Sequence, residues 1–464
     1  MRIKVSQLGA IKETSIDLNK KLTVFCGPNG TGKTYMAYLL YSITKFENKS
    51  FILSLDEEKQ KKFLENNFIE IDLDFDIVWQ YKNDGLETIK NNLWNIFAIP
   101  ESKSKDFFSN TQIELLETRD EFNLALLDLD FVSEFKIYDY NFSINKSSGS
   151  KNVTISIPEK TLKNTDFIKI IDIILLSRVY SLFAYFPITS STIFPVERNS
   201  IYTFSNELSI RKNDALEHIQ AITNKKDFSL LDLFFKRSTR YPEAIRDGLE
   251  VAEDLENIQK RSSVYNTFAN EIESELLKGK VIINKEGNVE FSSDKAPKIK
   301  LSFHQSSSIV KTLASLVIYL KHRASKNDLV IIDEPELNLH PDNQVKLARI
   351  FARLINNGIR LVISTHSDYI IRELNNLIMI ANNDDDVKEV ATKFGYKEDE
   401  YINIKDICAY FFNYKNKSAK QTDVRHIIID ENGFDVETLD STVEKLNQIS
   451  DELYYTLQYG KAKE

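Results

Sequence analysis

With 464 residues, 42% of them hydrophobic, the chain can bury at least one full core and has the length of two or three folding units, which excludes a disordered or fibrous class. Its 60 lysines and arginines face 69 aspartates and glutamates for a net charge of -9, so a globally basic surface is excluded and any nucleic acid must meet a local patch. Only Cys26 and Cys408 are present, too few and too far apart for a disulfide framework or a zinc knuckle, and a cytoplasmic, reducing location fits.

The opening "MRIKVSQLGAIKETSIDL" alternates apolar and polar residues, which reads as strands and not as an export signal. Three short strands are predicted within residues 1–26, and the third, "LTVFC", runs into a glycine-rich turn. "TYMAYLLYSITKF" after it has helical spacing. From 50 to 185 mixed helices and alternating strands are expected, with "FIEIDLDFDIVW" and "KNVTISIP" as strands. The apolar run "FIKIIDIILLSRVYSLFAYF" carries Lys169, Asp172 and Arg178, and such charges in a membrane-length span predict a buried core helix. No membrane association is expected.

Between 243 and 277, apolar residues recur every three or four positions, predicting one or two amphipathic helices. "KVIINKEGNVEFSS" predicts a hairpin turning at "EGN". Residues 299–371 read as strand, helix, strand, turn, helix, strand and helix. Beyond them, "NNDDDVKE" reads as a solvated loop, "DICAYFFNY" and "DVRHIIIDENGFDVETL" as a terminal hairpin, and "LNQISDELYYTL" as a closing helix.

The glycine turn, "GPNGTGKT", fits GxxxxGK[ST] between a strand and a helix. Backbone N–H groups of Asn29, Gly30, Thr31 and Gly32 would form an anion cradle at the positive end of the helix, with Lys33 reaching the β and γ phosphates and Thr34 ligating magnesium. "DLVIIDEPELNLHP" places four aliphatics in a strand buried on both faces and two carboxylates at its end. Asp333 is positioned for the Mg2+ shell, and Glu334 for polarising the attacking water. A third strand, "IRLVIST", ends at His366. Standing alone, this histidine reads as a cap of "SDYIIREL"; downstream of the carboxylates, it reads as a γ-phosphate contact or an orienter of Glu334. Ser306, Ser307 and Ser308 precede a helical apolar stripe. One serine is the expected N-cap, and the turn is a second anion site able to reach a phosphate held by another subunit.

In order and context, these motifs resemble ABC-type ATPases, in particular the soluble branch that includes RecF, the Rad50 and SMC heads, and the OLD-family ATPases of phage defence. The resemblance implies an α/β fold: an ABC-type P-loop head with a mixed sheet and an antiparallel β subdomain, plus a helical or mixed insertion. It also implies that Ser306 to Ser308 match the signature loop, Glu334 the catalytic glutamate, Leu337 to His340 the D-loop region and His366 the switch histidine. "FPVERN", residues 194 to 199, resembles the strand-end segment before the helical lobe of stand-alone defence ATPases of the Septu and PARIS kinds, which puts Glu197 or Arg198 in a Q-loop role. The chain departs from the family in reading Ser-Ser-Ser where Ser-Gly-Gly is usual, and in the length of the stretch between Thr34 and Ser306.

The implied organisation is a head half at 1–47, an inserted region at 48–189, a helical lobe at 190–280, a second head half at 281–375 and a C-terminal hairpin and helix at 376–464. The implied function is an ATPase using ATP and Mg2+, assembling as a homodimer or higher oligomer through sandwiched ATP. It would regulate a separate effector, a nuclease, in anti-phage defence. A nuclease site within this chain is not expected: Asp384 to Asp386 lack the preceding apolar strand that a Toprim DxD requires, and little chain follows His366. The alternative is a RecF-like repair ATPase that binds DNA, for which "NYKNKSAK" offers a small basic patch.

Overall fold

The computed structural model describes residues 1–46, 54–137, 140–157, 165–203, 241–382, 384–414 and 421–459. Strands β1 (Arg2–Leu8), β2 (Ile11–Asp17) and β3 (Leu22–Cys26) open the chain, followed by the helix Lys33–Lys45. The region after it supplies β4 (Phe68–Asp72), β5 (Gln112–Leu115), β6 (Phe131–Ile137), β7 (Tyr140–Lys146) and β8 (Asn152–Ser156), and β9 (Ser191–Phe194) follows the long helix Thr165–Ala184. Further on come β10 (Gly279–Ile283), β11 (Val289–Ser293), β12 (Lys300–Ser302), β13 (Leu329–Asp333), β14 (Arg360–Thr365), β15 (Ile407–Tyr414) and β16 (Thr422–Ile427).

Nine of these strands form one sheet, in the order β5-β1-β2-β16-β15-β3-β14-β13-β9. The five from β15 to β9 are parallel, while β1 pairs antiparallel with both β2 and β5, and β15 with β16. This is the expected mixed sheet with an antiparallel part. The hairpin expected near the C-terminal end forms, and its strands enter the main sheet: β15 lies directly beside β3. β5 forms one edge of this sheet by pairing with β1. Two smaller sheets, β4-β8-β7-β6 and β10-β11-β12, complete the set.

Each parallel strand is buried on both faces, so its apolar residues divide between two cores. Phe25, Leu329, Ile331, Val362, Tyr410 and Phe412 point to one, with the helix Lys33–Lys45 and apolar residues between Leu55 and Ile188. Leu22, Val24, Val330, Ile332, Leu361, Ile363 and Phe411 point to the other, covered by the helices Ser308–His322, Pro341–Asn356 and Asp368–Ile380.

Some elements differ from expectation. "FIEIDLDFDIVW" is a strand only to Asp72; the Asp74 carboxylate accepts from the amides of Asp76 and Ile77 and starts the helix Phe75–Asn91. The amphipathic stretch after 243 breaks into Glu243–Glu253, Leu255–Ile258, Asn266–Glu271 and a π-helical turn Ile272–Leu277. At one break, Ser263 donates its amide to Lys321 O and its hydroxyl to Ala324 O, bonds to another element that replace helical ones. Asp384 is not in a loop but caps the helix Asp385–Lys393. The last helix, Glu437–Tyr459, leaves Leu446, Leu453 and Leu457 exposed instead of closing over the hairpin. Among the described residues, no helix is long and apolar enough to cross a membrane. Most of the basic patch at 413–420, and the middle of the lobe at 190–280, lie outside the described residues.

Candidate active site

Parallel register brings the motifs to one edge. Cys26 on β3 pairs with Thr365 on β14, Ser364 pairs with Asp333 on β13, and Ile332 pairs with Phe194 on β9. The glycine loop, the carboxylates, His366 and "FPVERN" therefore emerge side by side from strand ends that lie far apart in sequence. This is the edge where open α/β sheets place ligands.

The loop turns through Gly27, Gly30 and Gly32, all at positive φ, and Gly32 precedes the first residue of the helix Lys33–Lys45. An alanine Cβ at Gly27 would lie 2.0 Å from Phe412 O of β15, so only glycine lets the loop pass this close. Thr31 is buried and donates its hydroxyl to Pro28 O at 2.8 Å; Asn29 and Gly30 are exposed at the tip. Lys33 Nζ donates to Gly27 O at 2.7 Å and Pro28 O at 2.9 Å, and burial lowers its pKa, opposed by Asp333 and Glu334.

Thr34 and Asp333 meet directly. Thr34 Oγ1 donates to Asp333 Oδ2 at 2.7 Å, while Ser364 Oγ donates to Asp333 Oδ1 at 2.5 Å, which fixes both carboxylate oxygens. Glu334 follows at φ +50, a left-handed conformation unusual for a residue with a side chain, and its amide donates to Ser364 O at 2.8 Å. Its carboxylate is a quarter exposed, and burial raises its pKa. His366 counters that shift: its Nδ1 lies 3.9 Å from Glu334 Oε1 and 3.5 Å from Glu336 Oε1. The site thus holds one lysine, a paired hydroxyl and carboxylate, and a carboxylate beside an imidazole. This set can bind a polyphosphate and deprotonate water.

The serine turn is built differently. Ser306 is buried, with its hydroxyl donating to Ser302 O at 3.2 Å; Ser307 and Ser308 are exposed at the start of the 15-residue helix Ser308–His322. Ser307 is the N-cap by position, without a side-chain cap bond.

A family model described as an AAA ATPase domain matches residues 1–371. The chain belongs to that family. It is an ATP-hydrolysing enzyme, and ATP is its nucleotide. A search of curated proteins returns no match. Among solved structures, the SMC head domain from Thermotoga maritima aligns at 7% identity with a TM-score of 0.32, covering 92% of this chain and 98% of that one. A Pyrococcus furiosus Smc head domain with an extended coiled coil, bound to the C-terminal domain of ScpA, aligns at 13% identity and TM-score 0.33, covering 97% and 98%. An SmcHead bound to the C-winged helix domain of ScpA aligns at 11% and 0.37, covering 93% and 98%.

Two residues of this AAA ATPase domain stand out that sequence reasoning passed over or placed loosely. Glu336 is buried beyond the turn, and its Oε1 accepts Thr365 Oγ1 at 2.8 Å and the His366 amide at 2.9 Å, so it seats the segment carrying the histidine. Arg198 is 2% exposed and spreads its guanidinium under the strand ends, donating to Asp333 O and Glu334 O at 2.6 Å each. Glu197, the other Q-loop candidate, accepts from the Tyr38 hydroxyl at 3.3 Å.

Proposed function

We propose that this AAA ATPase domain works as an ABC-type head that clamps ATP between two copies of the chain. In this reading, the closed assembly governs a separate effector, a nuclease, in bacterial anti-phage defence. The observation that carries it is the serine turn. Ser307 and Ser308 are exposed at a helix N-terminus, where free amides and the helix dipole favour an anion, while the lysine and carboxylates gather at the strand ends. A second copy's γ-phosphate is the anion proposed to meet this turn.

Within one copy, Asn29 to Gly32 cradle the phosphates, Lys33 binds the β and γ groups, Glu334 takes the proton of the attacking water and His366 orients Glu334. Thr34 Oγ1 and Asp333 Oδ2, both hard oxygen donors 2.7 Å apart, fit a magnesium ion, and they are the residues that would hold it. Such an ion supplies charge neutralisation on the phosphate oxygens. That the nuclease is another chain is supported by Asp384, whose carboxylate is engaged in capping its helix.

The test is Glu334→Gln loaded with ATP and Mg2+ and examined by light scattering. A stable dimer or larger assembly that Lys33→Ala fails to form supports the clamp; a monomer, with nucleotide bound, refutes it. The effector reading expects ATP turnover with DNA and RNA left intact, and co-purification with a nuclease encoded next to this chain. ATP-dependent binding to duplex DNA with a steep salt slope would instead favour the RecF-like reading.

A further inference from the structure

We infer that Arg198 is a positioning residue for ATP hydrolysis, holding Glu334 in its left-handed backbone conformation and tying it to the helix that begins at the serine turn. The inference rests on Glu334 being the base proposed above.

Among the described residues, the Arg198 guanidinium bonds to backbone carbonyls alone. Nη1 donates to Pro195 O at 3.0 Å and Asp333 O at 2.6 Å, Nη2 to Glu334 O at 2.6 Å, and Nε to Thr312 O at 3.3 Å. Burying a guanidinium without a direct ion pair is costly, and desolvation pulls its pKa down to about 10 although four carboxylates lie near enough to oppose the shift. A group placed only to fill space would be apolar at such a position. Beyond Pro195 in its own turn, the carbonyls bonded belong to the two acids at the end of β13 and to the serine helix.

The geometry at Glu334 explains the choice. At φ +50, its Cβ crowds the backbone, and the residue left to itself relaxes to negative φ. Its amide is held by Ser364 O of the neighbouring strand, and its carbonyl by the Leu337 amide at 3.1 Å and, more closely, by Arg198. With both flanking peptide groups fixed, the carboxylate stays beside His366. Without the guanidinium, the Glu334 carbonyl keeps only the 3.1 Å bond from the Leu337 amide, and the strained turn that aims the carboxylate is held less tightly.

The fourth acceptor adds a connection. Thr312 lies in the opening turns of the helix Ser308–His322, and its side-chain oxygen also accepts from Asn338 Nδ2 at 3.4 Å, in the turn after the carboxylates. A planar fork bonded to Glu334 O and Thr312 O at once makes the seating of the serine helix and the posture of Glu334 one mechanical unit. Lysine, with a single ammonium, cannot span the same set.

Steady-state kinetics of Arg198→Lys, alone and combined with Glu334→Gln, test the inference. Arg198→Lys should lower kcat on the order of tenfold to a hundredfold, as expected for misplacing a catalytic group, with KM for ATP within about twofold and full nucleotide-binding stoichiometry. In the Glu334→Gln background, the same change should leave the residual rate unaltered, because a group acting through Glu334 has nothing left to position. Wild-type turnover by Arg198→Lys, or an equal fold-loss in both backgrounds, overturns the inference. If Arg198→Lys does not fold, Arg198→Gln is read in the same two backgrounds, and failure of both to fold assigns Arg198 to folding alone. Should Glu334→Gln itself turn over normally, the base assignment falls instead, a result separable from the others.

Discussion

Gly27→Ala perturbs the phosphate loop at the point where the structure leaves least room. Gly27 sits at φ +128, and an added Cβ would stand 2.0 Å from Phe412 O, far inside the ordinary contact range. The obstacle is the backbone of a central strand, so no rotamer relieves it, and either the loop or β15 must move. Left-handed backbone costs a residue with a Cβ about 1–2 kcal/mol, and forcing a packed interior to shift adds about 1–3 kcal/mol. Released by the loop leaving its phosphate-ready shape, a total of about 2–5 kcal/mol weakens nucleotide binding roughly thirtyfold to a few thousandfold. Calorimetric titration with a non-hydrolysable ATP analogue measures the affinity, and thermal melting without nucleotide measures the share borne by the fold. A variant that binds within twofold of the parent and melts at the same temperature would refute both the close contact and the dependence of the loop on β15.

Gly30→Ala should be milder, because its Cβ meets only the movable Tyr414 hydroxyl at 2.8 Å; adding Tyr414→Phe should recover part of the affinity, leaving about 1 kcal/mol for the positive φ in the same titration. Lys33→Ala removes a buried cation that the loop carbonyls orient, and it should weaken ATP binding at least about tenfold, read by equilibrium dialysis. Burial raises the Glu334 pKa and His366 lowers it, so His366→Ala should raise it further. Activity requires the ionised base and is lost as pH falls through this pKa, so the acidic limb of the kcat profile should move to higher pH; an unmoved limb would mean that His366 does not bear on Glu334.

The motif-bearing strands were legible because each signal was local. "LTVFC", "LVIID" and "RLVIST" are apolar runs cut off by a glycine loop or a polar residue, and their burial on both faces follows from that pattern. The place of β15 was not legible. "ICAYFFNY" reads as a strand by itself, but its neighbour β3 lies 385 positions away, and no periodicity within either strand names the other as partner. Local capping outvoted alternation at Asp74, where a short carboxylate reaching two amides turned a strand-like run into a helix. Of the candidate site, Lys33, Thr34, Asp333, Glu334 and His366 were picked out by residue type and order. Arg198 was harder, because "VERN" looks solvated until the fold places it beneath the ends of β13.

The matched family region stops at residue 371, short of the strand that lies against the glycine loop. A fragment cut there would keep every residue of the nucleotide motifs and still expose one side of β3 as a naked hydrogen-bonding edge, an invitation to aggregate. The same order governs synthesis on the ribosome. The loop is made long before its flank, Ile407 to Tyr414, so that side of β3 stays uncovered until the later strand has emerged.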